Sequence, residues 1–212
     1  MRIEVNGLGK TIRGSRILNN ISFTLESGHI YGFVGKNGSG KTMLLRAITG
    51  LIVPTEGTIQ IDGKILHKDI SFPPKVGLLI EKPEFLGYMS GLNNLRLLAD
   101  VKKEITVEQI KEFMTFFELN PDSKKNVRKY SLGMKQKLGI IQAVMENPEL
   151  LVLDEAFNAL DENSVLKVRE LLLKYKKEGK LVVITSHNKE DIELLCDKVF
   201  QLVDGEIKEH EC

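Results

Sequence analysis

The hydrophobic positions along this chain change period twice. Over the first 65 residues, IEVNGLGK and ILNNISFTLESG alternate apolar and polar side chains, as half-buried strands do. HIYGFVG is a short apolar run closing on a glycine. TMLLRAITGL then places apolar residues at helical spacing, ended by Gly50. GTIQIDGKIL reads as a strand, a two-residue turn at Asp62-Gly63 and a return strand. From about residue 84 to 147 the period becomes helical. LNNLRLLADV, VEQIKEFMTFFEL and LGMKQKLGIIQAVME each carry an apolar face at i, i+3, i+4 spacing, and Pro148 stops the third. Next come two continuous apolar runs, LLVLDE and KLVVITSH, separated by the helix SVLKVRELLLKYKKEG. A helix, KEDIELLCDKV, and a hairpin, FQLVDGEIKEH, follow. Uninterrupted apolar strands alternating with helices predict a parallel α/β sheet buried on both faces.

One strand poses a question. VGLLIEKP, residues 76–83, runs its apolar residues straight into Glu81, with Pro83 marking the end. That acid is either a solvated loop residue or one that faces a ligand.

Composition narrows the partners. Thirty basic and 29 acidic residues leave a net charge of +1, so no electrostatic argument favours nucleic acid, and no nucleic-acid partner is expected. Two cysteines, Cys196 and Cys212, make no disulfide framework and point to a reducing, cytoplasmic setting. Cys212, as the last residue, lacks the three following residues of a prenylation box. MRIEVNGLGK has no apolar stretch suited to a secretory signal, and no window approaches about 18 uninterrupted apolar residues. Any membrane role is expected to run through a partner. The length suits one domain, residues 1–212, with a helical subdomain inserted at about 84–147.

The candidate chemistry begins at GKNGSGKT, residues 35–42, between a strand and a helix. Gly35, Gly38 and Gly40 let the backbone around Lys36, Asn37 and Ser39 turn its N–H groups toward phosphate oxygens. The following helix adds the positive end of its dipole. Lys41 is suited to reach the β and γ phosphates of a nucleotide, and the Thr42 hydroxyl to hold Mg²⁺. LLVLDE carries Asp154 to the C-terminal end of a strand, where α/β sheets bind ligands. There Asp154 can hold the metal and Glu155 can accept a proton from attacking water. His187, in TSHN at the end of another strand, is placed to meet a γ phosphate.

Between these motifs lies YSLGMKQKLGIIQAV, residues 130–144, and NALD follows at 158–161. Taken in order, the set resembles the ATP-binding subunits of ABC transporters over nearly the whole chain. The resemblance implies a P-loop NTPase of ABC type: a mixed RecA-like core sheet with an antiparallel β subdomain and an inserted α-helical subdomain. The signature departs from the common Leu-Ser-Gly-Gly-Gln, reading Tyr130, Ser131, Leu132, Gly133, Met134. That form is similar to the bacitracin-resistance and lantibiotic-immunity exporters. Glu81 stands where the family commonly has glutamine, and the lantibiotic-immunity group is similar in carrying glutamate there. The resemblance thus makes Glu81 a candidate metal ligand with Thr42 and Asp154, its added charge to be offset by the metal or by Lys41. It also sets Ile12 where an aromatic residue usually stacks on adenine, and Ala156-Phe157 where Pro-Thr is common.

The resemblance further implies ATP and Mg²⁺ as cofactors, and a second ATP-binding subunit, identical or not. That subunit's Ser131–Met134 segment would close over the nucleotide, while Asp161 links the two sites. A separate integral membrane permease would hold the chain at the inner face of the membrane, docking near Pro83–Tyr88 through Phe85 and Leu86. The activity implied is ATP hydrolysis coupled to export of peptide antibiotics or similar cargo. The alternative is an ABC ATPase, soluble or regulatory, with no permease.

Overall fold

The strands divide between two sheets. The computed structural model describes residues 1–210, so the expectation about Cys212 lies outside the described residues. The first sheet is antiparallel, in the order β2-β1-β4-β5, from β1 (Arg2–Ile12), β2 (Ser15–Glu26), β4 (Glu56–Ile61) and β5 (Lys64–Ile65). The second runs β10-β9-β3-β8-β7-β6. In it β3 (Ile30–Val34), β6 (Val76–Leu79), β7 (Leu150–Asp154), β8 (Leu181–Thr185) and β9 (Lys198–Val203) are parallel. Only β10 (Glu206–His210) reverses, at the edge. The Asp62-Gly63 and Asp204-Gly205 turns both have φ near +50° and then +78°, the two successive positive angles of a tight hairpin turn.

Strand residues alternate between two cores, as the two-residue period dictates. Leu150, Val152, Leu181 and Val183 face the antiparallel sheet and α1 (Lys41–Ile48). Leu151, Leu153, Val182 and Ile184 face the opposite layer. That layer includes α2 (Gly91–Lys102), α3 (Val107–Phe116), α4 (Leu132–Val144), α5 (Glu162–Lys177) and α6 (Lys189–Leu195). Because both faces are covered, these strands need no polar alternation, which is why they read as unbroken apolar runs. Helix α4 packs directly on edge strand β6. A Cβ at Gly77 would lie 1.9 Å from the Ala143 carbonyl oxygen, so that contact requires glycine.

Three element ends differ from the expected ones. Helix α5 starts at Glu162, earlier than the apolar pattern shows, because the Asp161 side chain caps it by accepting the Ser164 N–H. Helix α6 stops at Leu195. Cys196 is already extended, and the Asp197 carboxylate accepts the Ile30 N–H at 2.8 Å, so the following residues enter β9. Strand β6 ends at Leu79, leaving Glu81 outside it in the left-handed region, at φ +61°.

Candidate functional site

The loop leaving β3 wraps around its own lysine. The Lys41 ammonium donates to the carbonyls of Gly35 at 2.7 Å and Lys36 at 3.3 Å, which holds it over the loop. Gly35 has to be glycine, because a Cβ there would fall 2.4 Å from the Leu202 carbonyl oxygen and 2.7 Å from Ser39 Oγ. The Ser39 hydroxyl is buried in the loop wall with no hydrogen-bond partner. Helix α1 opens directly on this loop, with Gly40 at its N-cap and no side chain capping its first N–H groups. Its amides and dipole therefore face the loop interior.

Asp154 ends β7 almost fully buried, and both its oxygens are held. Thr42 donates to one at 2.7 Å, and Thr185 to the other at 2.6 Å. Thr185 lies beside Asp154 in the β7/β8 register, and its hydroxyl also accepts the Glu155 N–H at 2.9 Å. Glu155 follows in the left-handed region, at φ +53°. One of its carboxylate oxygens lies 2.8 Å from His187 Nε2, and the other accepts from Asn158 Nδ2 at 3.2 Å. The strained turn is tied down from α4. The buried Gln136 amide donates to the carbonyls of Glu155 at 3.2 Å and Ala156 at 3.1 Å.

These residues share an open cleft of about 620 Å³. Asn37, Gly38, Gly40, Lys41 and Thr42 line one side; Asp154, Glu155, Asn158 and His187 line the other; Ile17, Met43, Arg46 and Glu81 complete it. The expected set is thus largely brought together, with three corrections. Ile12 is not among the lining residues. It pairs with Ser15 at the tip of the β1–β2 hairpin, and the side chain reaching the cleft from that hairpin is Ile17. Lys41 is not the cation paired with Glu81, since its ammonium donates to the Gly35 and Lys36 carbonyls; the Arg46 guanidinium lies 3.0 Å from the Glu81 carboxylate. Phe85, expected as a docking residue, packs against the core; Leu86 and Tyr88 are exposed. Ala156 and Phe157, which stand where Pro-Thr is common, are both buried in the helical layer's core.

Ser131, Leu132, Gly133 and Met134 are not among the residues lining this cleft. Ser131 caps α4, accepting the Met134 N–H at 3.2 Å, and Leu132 is exposed. Gly133 is pressed on the loop after β7, where a Cβ would lie 2.6 Å from the Ala159 carbonyl oxygen. Asp161 is engaged within the chain. It caps α5 and pairs with the Lys137 ammonium of α4 at 2.8 Å. Its carboxyl is held far below the usual range, first by the Lys137 hydrogen bond and then by those from Ser164.

The donor set fits a nucleotide with its metal. A lysine, a helix N-terminus and a buried unpartnered hydroxyl converge on the loop. Thr42 with Asp154 supplies the hard oxygens that Mg²⁺ takes alongside phosphate oxygens. No group of three or more His, Cys, Asp or Glu side chains able to hold a metal occurs among the described residues.

Fold and loop together define a phosphate-loop nucleotide-binding protein. The chain belongs to the ABC transporter family, whose model matches residues 18–158. It is 49% identical over 209 residues to YybJ of Bacillus subtilis (strain 168), described as an uncharacterized ABC transporter ATP-binding protein, covering 99% of this chain and 96% of that one. It is 34% identical to the bacitracin transport ATP-binding protein BcrA of Enterococcus faecalis, over 98% of this chain and 68% of that one. It is 31% identical to the lantibiotic transport ATP-binding protein SrtF of Streptococcus pyogenes, over 97% and 88%. Among solved structures, the ATP-binding subunit of an ABC transporter superposes with a TM-score of 0.87 at 25% identity, over 98% of this chain and 88% of that one. The cassette MJ0796, a dimer in a post-hydrolysis state bound to ADP and Pi, superposes at 0.87 with 22% identity, over 99% and 97%, and supports the fold alone. The chain is an ABC ATP-binding subunit, and ATP hydrolysis is the activity of its family.

Proposed function

We propose that this chain is the ATP-hydrolysing subunit of a membrane exporter whose permease is a separate polypeptide, acting on peptide antibiotics or similar cargo. The observation that carries the catalytic part is the clamped Glu155, held between His187 and Asn158 beside the loop lysine and Asp154. Lys41 and the α1 amides bind the β and γ phosphates; Thr42 and Asp154 hold Mg²⁺, with Glu81 a further candidate ligand. The metal supplies charge neutralisation to the phosphates when bound. Water aimed by Glu155 and His187 attacks the γ phosphorus, its proton passes to Glu155, and the bond to the bridging oxygen breaks to release ADP.

The site as one chain presents it is half of one. Ser131 and Gly133 stand outside their own cleft, as they must if they complete the site of a second subunit. Asp161, already paired with Lys137 within the chain, would have to share its carboxylate to link the two sites across such a dimer. Export is supported by two relatives named for bacitracin and lantibiotic transport. No helix among the described residues is long and apolar enough to cross a membrane. On the export reading the chain works at the membrane's inner face, held there by its permease. The test is affinity purification of the tagged chain from its native membranes. A stoichiometric integral membrane protein, with ATPase activity stimulated by a peptide antibiotic, is the expected result. Full activity with no membrane partner would overturn the export reading.

A further inference from the structure

Glu81 brings a third carboxylate to a cleft that already holds Asp154 and Glu155 and must accept a polyphosphate. An unpaired charge there opposes binding. Among the described residues, the cation paired with Glu81 comes from the phosphate-loop helix. Arg46 follows Thr42 by four residues on α1, so the two side chains share one helix face. Its guanidinium meets Glu81 at 3.0 Å, and both residues line the cleft. Glu81 stands in a left-handed turn after β6, which aims its carboxylate back at α1 instead of along the strand. Lys41 is occupied by the Gly35 and Lys36 carbonyls and does not serve this purpose.

We infer that Arg46 is a positioning residue whose charge makes a carboxylate workable at position 81. Together the two side chains form a neutral polar unit, with the net charge of an amide and the metal-binding oxygens of an acid. The pair is part-exposed on both sides, so holding the fold together is not its main effect. Its effect falls on the nucleotide. Without Arg46, Glu81 faces the phosphates as a bare anion. Without both, the cleft returns to its present balance. The inference rests on the reading of Glu81 as part of the nucleotide site.

The experiment compares the parent, Arg46→Gln, Arg46→Lys, Glu81→Gln and the double Arg46→Gln/Glu81→Gln, by equilibrium binding of a fluorescent ATP analogue with and without Mg²⁺. Thermal melting checks that all five fold alike. Arg46→Gln is expected to weaken binding about fivefold at low salt, the scale of one uncompensated charge partly screened by solvent. Arg46→Lys retains most of the affinity, and the double variant returns to within about twofold of the parent. Glu81→Gln alone changes the ratio of affinities with and without Mg²⁺. If the Arg46→Gln loss persists in the double variant, Arg46 acts independently of Glu81 and the pairing is wrong. If Glu81→Gln alters neither affinity nor its Mg²⁺ dependence, Glu81 lies outside the nucleotide site and the reading beneath the inference fails instead.

Discussion

At the scale of single residues, the site is built by side chains that fix other side chains. Asp154 is fixed through both oxygens, which accept from Thr42 and Thr185 and each keep a lone pair for a further partner. Glu155 is likewise clamped, by His187 and Asn158. A general base gains from being held in one orientation, since misplacement by a fraction of an ångström is felt in the rate. Asn158→Ala should therefore lower kcat about tenfold while leaving ATP affinity near the parent value. His187→Ala should cost about a hundredfold, again in kcat. Steady-state ATPase assays beside equilibrium nucleotide binding check both; a matching loss of affinity would mean that these side chains hold the nucleotide and not the base. Lys41, Thr42, Asp154 and Glu155 were legible in the sequence because their motifs are local. Thr185, Arg46 and Gln136 were not. Each acts through a neighbour far off in the chain, and only strand register or helix packing brings them together. Ile12 was misplaced for the same reason, since hairpin geometry and not sequence distance decides which residue reaches the cleft.

At the scale of elements, α4 connects the site to the rest of the chain. It packs on β6 through Gly77, holds the Glu155 turn through Gln136 and caps the next segment through Lys137 and Asp161. Gly77→Ala forces a methyl group into the Ala143 carbonyl and should destabilise the protein by roughly 1–3 kcal/mol, measured by urea unfolding. The Asp161–Lys137 contact predicts a pH dependence. The Asp161 carboxyl is depressed in the folded chain, chiefly by Lys137. Its contribution to stability is complete above the ordinary carboxylate value near 4 and drains away as pH falls below it. Lys137→Met should therefore flatten the fall in stability between about pH 4 and pH 2, followed by chemical denaturation across that range. At neutral pH Asp161→Ala loses the α5 cap, about 1 kcal/mol, and also leaves the buried Lys137 ammonium without its nearest carboxylate, which adds to the loss. The helices themselves could be read from their apolar periods. Their ends could not, because Asp161 extends α5 and Asp197 shortens the reach of α6 through side-chain hydrogen bonds that periodicity does not contain.

At the scale of the whole molecule, the unbroken apolar strands announced a buried parallel sheet, and the split of Leu150–Leu153 between two cores shows why they could be unbroken. What the single chain leaves open is the covering of its nucleotide cleft. The loop, Asp154 and Glu155 line the cleft, and the exposed Ser131-Leu132 turn at the head of α4 is not among the lining residues. Two chains facing each other would let each α4 N-terminus meet the other's phosphates, adding a helix dipole to the charge already there. With a net charge of +1 per chain, two copies meet without strong mutual repulsion. Glu155→Gln removes the proposed base but keeps the clamp's shape, so bound ATP should persist and a closed form should accumulate. In light scattering its mass should rise from 23.9 kDa to twice that value on adding MgATP, and stay unchanged with ADP. Dimerisation would show that one chain type completes both sites. A variant that binds ATP and stays at one mass would need a different subunit, or the permease, to bring a second signature turn to the cleft.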